Sequence, residues 1–224
     1  MTFSLIARCP DSGFFGIAAA TAVPAVGKLL THARGGVGAV ATQAKLNPYL
    51  GIDGIRLLQQ GRSAAEVRDI LASQDPRADH RQFAVLDRQG TTASWTGGGC
   101  IPWAGAIEDE NFSAQGNRLT GRDVLEEVVR CYRESAGKPL DERLMEALEA
   151  GDSVGGDRKG ERSATIYIVG REEYPLWDIR VDAHPDPFTE LRRLHDIFRR
   201  QLIPEIRDMP TRANPAGEPA EGDA

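Results

Sequence analysis

Strand-like segments in this chain come in pairs joined by short turns, and helix-like segments come in pairs between them. Phe3-Ser4-Leu5-Ile6-Ala7 is followed by the turn-rich Cys9-Pro10-Asp11-Ser12-Gly13 and then by Phe14-Phe15-Gly16-Ile17-Ala18-Ala19-Ala20. Gln82–Asp87 and Thr91–Thr96 flank Arg88-Gln89-Gly90, and Ser163–Val169 precedes Leu176–Val181. Strands joined by so few residues pair antiparallel, because parallel neighbours need a crossover of roughly a dozen residues or more. This excludes a purely parallel, doubly wound sheet and predicts an α+β fold in which two mainly antiparallel sheets pack face to face under helices.

The remaining segments fit that frame. Gly36–Thr42 is small and apolar and reads as a strand buried on both faces. Ala and Gly dominate the segment after Gly13, so something packs closely on it. Ile52, Ile55 and Leu58 recur at helical spacing. Ser63 and Glu66 form a capping box ahead of Val67, Ile70 and Leu71. Thr120 is placed to cap a helix bearing Val124, Leu125, Val128, Val129 and Tyr132, and Leu140, Leu144 and Leu148 mark its companion. Gly97 to Gly121 reads as loop. Asp186-Pro187 opens a final helix with Phe188, Leu191, Leu194, Phe198 and Leu202 on one face. From about Met209, Pro, Ala, Gly and Glu prevail, so residues 2–207 are expected to form one domain and 208–224 an unordered tail.

Bulk properties remove several function classes. The net charge is −6 with the arginines dispersed, which leaves no nucleic-acid footprint. No apolar run reaches the length of a membrane span, and no basic-then-apolar leader opens the chain. Cys9, Cys100 and Cys131 are an odd number without metal or disulfide spacing and read as reduced thiols of a cytoplasmic protein. The four histidines are scattered, so neither a metal nor a cofactor is expected. A homo-oligomer is compatible with the sequence.

Four stretches carry candidate chemistry. Thr2 follows Met1 at the head of the first strand; with Met1 trimmed, a hydroxyl nucleophile and an amine base share one residue. An unperturbed α-amine titrates near ~8, close to the pH a general base needs. Ser4 points to the same side of that strand as Thr2, and Arg8 closes it. Gln43 and Asn47 follow the buried third strand and can donate to an oxyanion or a substrate carboxylate, although Asn47 before Pro48 also reads as a turn starter. Gln115-Gly116-Asn117 offers two amides in a loop. Asp157 and Arg158 lie in a charged Gly-rich stretch, the arginine suited to a carboxylate and the aspartate to an ammonium.

Taken together, Thr2–Arg8, Val26-Gly27, Gly36–Gln43, Asn47-Pro48-Tyr49-Leu50-Gly51, Thr96-Gly97, Ile101–Gly105, Gln115-Gly116-Asn117, Gly155-Gly156-Asp157-Arg158 and Val181–Pro187 resemble the DUF1028 family of the N-terminal-nucleophile hydrolase superfamily. The likeness runs from about Thr2 to Leu202. It implies a four-layer αββα sandwich. It also implies cleavage of an amide by Thr2 with its own amine as base, and an oxyanion held by Asn117, Gln43 or an N–H near Thr96-Gly97. The expected function is an amidohydrolase acting on a small polar, carboxylated amide; the alternative is a catalytically silent metabolite-binding protein on the same scaffold.

Overall fold

A computed structural model of the chain describes residues 2–217. β1 (Thr2–Arg8) and β2 (Phe15–Thr21) form the first hairpin, and α1 (Val26–Leu30) and β3 (Thr31–Arg34) lead into β4 (Gly38–Ala44). α2 (Pro48–Gln59) and α3 (Ala64–Gln74) come next, then β5 (Arg81–Asp87), β6 (Thr92–Thr96), β7 (Ala104–Asp109) and β8 (Phe112–Asn117). α4 (Asp123–Glu134), α5 (Leu140–Ser153), β9 (Ser163–Val169), β10 (Pro175–Val181) and α6 (Pro187–Asp208) complete the order.

The strands assemble into a six-stranded sheet, β10-β9-β2-β1-β8-β7, and a four-stranded sheet, β3-β4-β5-β6, with every pairing antiparallel. α4, α5 and α6 cover the larger sheet; α2 and α3 cover the smaller. The result is the expected four-layer αββα sandwich. Strand alternation distributes the cores. Phe3, Leu5 and Ala7 of β1 face α4 and α5, while Ile6 joins Ile17, Ala19, Ala39, Ala41 and Leu86 between the sheets. Thr2 and Ser4 therefore share the inter-sheet side with Ile6.

Four expectations need correction. The stretch from Gly97 to Gly121 is not mainly loop: it holds β7 and β8, joined at Glu110-Asn111, where Asn111 takes φ 67°. Both strands lack a β-branched run, and their Gly, Ala and polar residues look like turn chemistry in isolation. Gln115 and Asn117 consequently lie on a strand paired with β1 and not in a loop. A further strand, β3, pairs with β4 across Gly35-Gly36-Val37; at four residues, Thr31–Arg34, it carries no apolar run to mark it. α4 begins at Asp123 with no side-chain cap, and Thr120 lies outside it; Asp123 and Glu126 face the helix N-terminus instead. Residues 209–217 have no helix or strand, as their composition implies, yet they are tied down: Arg212 pairs with Glu173, and Tyr174 donates to the Pro210 carbonyl at 3.1 Å. The rest of the expected tail, 218–224, lies outside the described residues. Among the described residues no helix is long and apolar enough to cross a membrane.

The close approach expected on β2 is made by α5. A Cβ built on Gly16 would stand 2.5 Å from Leu144 Cδ1 and 3.2 Å from Leu140 Cδ2. Gly16→Ala is expected to cost about 1–3 kcal/mol through overpacking, and Gly16→Val more. Urea midpoints of the two variants check this; a Gly16→Val protein as stable as the parent would show that α5 can retreat from the strand.

Candidate functional site

Thr2 begins β1 at one end of the larger sheet and is 7% exposed. Its register partners are Thr21 on β2 and Asn117 on β8. The Thr2 hydroxyl donates to Thr21 Oγ1 at 3.1 Å. Both threonines line a cavity of about 160 Å³, whose other walls come from Val23, Val26, Leu29, Leu46 and Gln43. The hydroxyl therefore stands at the mouth of the inter-sheet layer, with mostly apolar walls beside it.

Behind Thr2 the two sheets are joined by buried amides and hydroxyls. Ser4 Oγ donates to Gln43 Oε1 at 2.7 Å and accepts from Gln115 Nε2 at 2.6 Å. Gln43 Nε2 donates to Gln82 Oε1 at 2.8 Å and lies 3.3 Å from the Gln115 carbonyl and 3.5 Å from that of Thr2. Asn117 Nδ2 donates to the same Gln82 oxygen at 3.0 Å. Gln82 Nε2 donates to the Gly116 carbonyl at 2.8 Å and to Thr96 Oγ1 at 3.0 Å. Ser4, Gln43, Gln82, Gln115 and Asn117 are each no more than 2% exposed.

The structure thus gathers Thr2, Ser4, Gln43, Thr96, Gln115 and Asn117 at one end of the sandwich. The N–H groups of Gln43 and Asn117 are already engaged by Gln82 and by backbone carbonyls, and Gly97 N–H serves the Arg81 carbonyl at 3.0 Å. These groups hold strand ends in place, in contrast to the oxyanion role expected of them. Arg8 is at the other end of β1, six residues or roughly 20 Å away at strand rise, and donates to Asn111 Oδ1 at 3.0 Å. Asn47 caps α2, accepting from Tyr49 N–H at 3.2 Å and donating to Asp75 at 2.8 Å.

Asp157 lies close to the head of β1. It bridges to Leu119, two residues past Asn117, and its Oδ2 accepts from Ala22 N–H, one residue past Thr21, at 3.2 Å. It occupies the gap in the sheet just beyond the start of β1. Its own N–H donates to Glu161 Oε1 at 2.6 Å. Burial, reinforced by the Asp152 carboxylate nearby, pushes Glu161 up to about 8. Arg158 is exposed; its Nε donates to the Leu119 carbonyl at 2.9 Å, and its N–H to the Arg118 carbonyl at 3.4 Å.

A second cavity, of about 370 Å³, adjoins the first across Ala44, which lines both. Lys45, His80, Cys100, Asn117 and Arg118 form much of its wall. Burial pushes the Cys100 thiol up, so it stays protonated and is a poor nucleophile.

With this geometry in hand, comparison with known proteins assigns the chain. Residues 2–191 match the family of unknown function DUF1028. The chain belongs to the DUF1028 family. A crystal structure of a DUF1028 protein from Silicibacter pomeroyi superposes with a TM-score of 0.91 at 26% identity, covering 100% of this chain and 97% of that one. Anbu, an ancestral β-subunit from Yersinia bercovieri, aligns at 13% identity with a TM-score of 0.47, covering 93% and 97% of the two chains. No curated protein matches at a significant level.

The DUF1028 chain has a second buried polar cluster, between α5 and α6. Asp141, Glu142 and His195 come within metal-ligand reach of one another. Arginines already supply the positive charge: Arg199 reaches Asp141 at 2.5 Å and Glu142 at 3.0 Å, and Arg192 reaches Glu142 at 2.5 Å. His195 Nε2 lies 3.0 Å from Asp141, and its ring stacks on Trp177. This cluster fastens two helices.

Sequence reasoning missed Gln82 and Thr21. Gln82 is the second residue of β5, directly ahead of the apolar run Phe83–Leu86, and an uncharged amide at the head of such a run is the available signal. Thr21 is readable only through its register opposite Thr2.

Two outcomes are expected. Gln82→Ala strips Gln43 and Asn117 of their shared acceptor and should destabilise by about 2–4 kcal/mol, measured by urea denaturation. Glu161 has a folded pKa raised above the ordinary value of 4.5. The unfolded chain therefore releases this proton first, and the contribution present below that value is lost as pH rises through about 8. Glu161→Gln should flatten the fall in stability across this window; parallel pH curves for variant and parent would exclude the assignment.

Proposed function

We propose that this chain is an amidohydrolase with the Thr2 hydroxyl as nucleophile, acting after removal of Met1. The observation that carries the reading is a buried hydroxyl at the first position of a central strand, opening on a cavity and braced from behind by a fully hydrogen-bonded amide network. Thr2 Oγ1 adds to the substrate carbonyl carbon while its proton passes to the α-amine. The amine then protonates the departing nitrogen, and the C–N bond breaks. An ester on Thr2 remains, and water, deprotonated by the same amine, hydrolyses it.

Each neighbour has a role in this scheme. Thr21 accepts the Thr2 hydroxyl proton in a hydrogen bond at 3.1 Å and so fixes its rotamer. Asp157, in the gap beyond β1, orients the amine. Gln43, Ser4, Gln115 and Asn117 act as positioning residues that keep β1, β4 and β8 in register at the site. The aliphatic walls of the Thr2 cavity suit a small apolar acyl group, which refines the polar substrate expected from sequence.

The test is covalent trapping. A β-lactone should acylate the purified protein once, on a peptide beginning with Thr2, and Thr2→Ala should take up none while keeping its circular dichroism spectrum. With a substrate in hand, Thr2→Ala should lower kcat by roughly a thousandfold or more. Intact Met1 in the purified protein, or a lactone adduct that persists in Thr2→Ala, would refute the mechanism.

A further inference from the structure

The geometry points to an anion-binding subsite in the second cavity, which holds the carboxylate of the substrate whose amide meets Thr2. The substrate class is then an N-acyl amino acid or a similar amide with a carboxylate on its amine side. This rests on the amidohydrolase reading above and adds its specificity.

Two strand ends, one from each sheet, build the subsite in the same way. β4 ends at Ala44, which takes φ 68°, and Lys45 follows. β8 ends at Asn117, and Arg118 follows with φ 58°. A left-handed conformation at a non-glycine residue costs on the order of 1 kcal/mol. Here both instances turn the chain out of its sheet at the point where a basic side chain reaches the same cavity.

The backbone at both points is pinned. Lys45 N–H donates to the His80 carbonyl at 3.1 Å, and Arg81 Nη1 donates to the Lys45 carbonyl. Arg118 N–H donates to the Ile101 carbonyl at 2.9 Å, and its carbonyl accepts from Arg158 N–H.

The charge on these residues is uncompensated. Arg81 next door is engaged by Asp75 at 2.9 Å, whereas among the described residues the side chains of Lys45 and Arg118 have no carboxylate partner. The cavity wall contains no Asp or Glu, and His80 adds a third nitrogen donor. Two cations set on rigid backbone around a cavity of about 370 Å³ form a site for one anionic group.

Placement supplies the link to Thr2. Ala44 lines both cavities, and Asn117, the register partner of Thr2, lines the second. An amide with its carbonyl carbon at Thr2 Oγ1 can therefore put its acyl chain in the aliphatic cavity and its amine-side carboxylate between Lys45 and Arg118.

The experiment is calorimetric binding of N-isovalerylglycine and its uncharged amide, N-isovalerylglycinamide, to the Thr2→Ala protein, which separates binding from turnover. The acid should bind at least roughly tenfold more tightly than the amide, with an affinity that falls as salt rises. Lys45→Met and Arg118→Met should each erase most of that preference while leaving the amide's affinity unchanged. Equal affinity for acid and amide, or a preference that survives both substitutions, overturns the subsite; so does tighter binding of inorganic phosphate than of the acid. Specific binding of the acid without any lactone adduct on the parent protein would keep the subsite and reject the hydrolase, whereas a Thr2 adduct without acid preference would do the reverse.

Discussion

Gln82 is the joint on which the candidate site depends. Its single carbonyl oxygen accepts from Gln43 and Asn117, and its amide nitrogen serves the Gly116 carbonyl and Thr96. These partners belong to β4, β8 and β6, so one side chain on β5 couples both sheets at the end where Thr2 lies. Burying that many polar atoms is tolerable only because they satisfy one another. Further along, Ile6, Ile17, Ala41 and Leu86 fill the same inter-sheet layer with no directional demand. The layer is thus greasy where it need only cohere and hydrogen-bonded where atoms must hold position.

The sequence made the architecture legible because hairpin turns and helical stripes are local signals. Ser63 and Glu66 form their capping box as read, and Asp186 caps α6 by accepting from Thr189 N–H. The alternation of Thr2, Ser4 and Ile6 against Phe3 and Leu5 is likewise a property of any strand. What failed is non-local. β8 has the composition of a loop and becomes a strand because it pairs with β1 along six residues. Arg8 looked close to Thr2 in sequence but is a strand length away in space. Lys45 and Arg118 line the second cavity, and only the strand ends, which no local pattern marks, bring them there.

Strain and support are distributed accordingly. Ala44, the last residue of β4, and Arg118, the first beyond β8, hold left-handed backbone. A backbone in that state persists only where its surroundings over-determine it. Here the surroundings are sheet register on one side and loop hydrogen bonds to His80 and Ile101 on the other. The same strand ends that fix Gln43 and Asn117 thereby aim Lys45 and Arg118. Loosening the network would blur both cavities together, so the proposed nucleophile and the proposed anion subsite depend on the same supports.

The contrast with Asp141 and His195 shows why burial of polar groups alone does not mark a site. That pair looks more like catalytic machinery than a lone threonine does: a carboxylate 3.0 Å from an imidazole, both shielded from water. Burial works against the Asp141 carboxylate, but hydrogen bonds from His195 and Arg199 outweigh it and keep its pKa low. Trp177 lies flat on the imidazole, which is fully buried. The cluster balances its charge internally and has no exit. At Thr2 the polar network adjoins a cavity lined by Thr2 and Thr21, whose hydroxyls are hydrogen-bonded to each other. On the reading proposed above, it is the cavity beside the network that distinguishes the Thr2 end from the helix-fastening cluster.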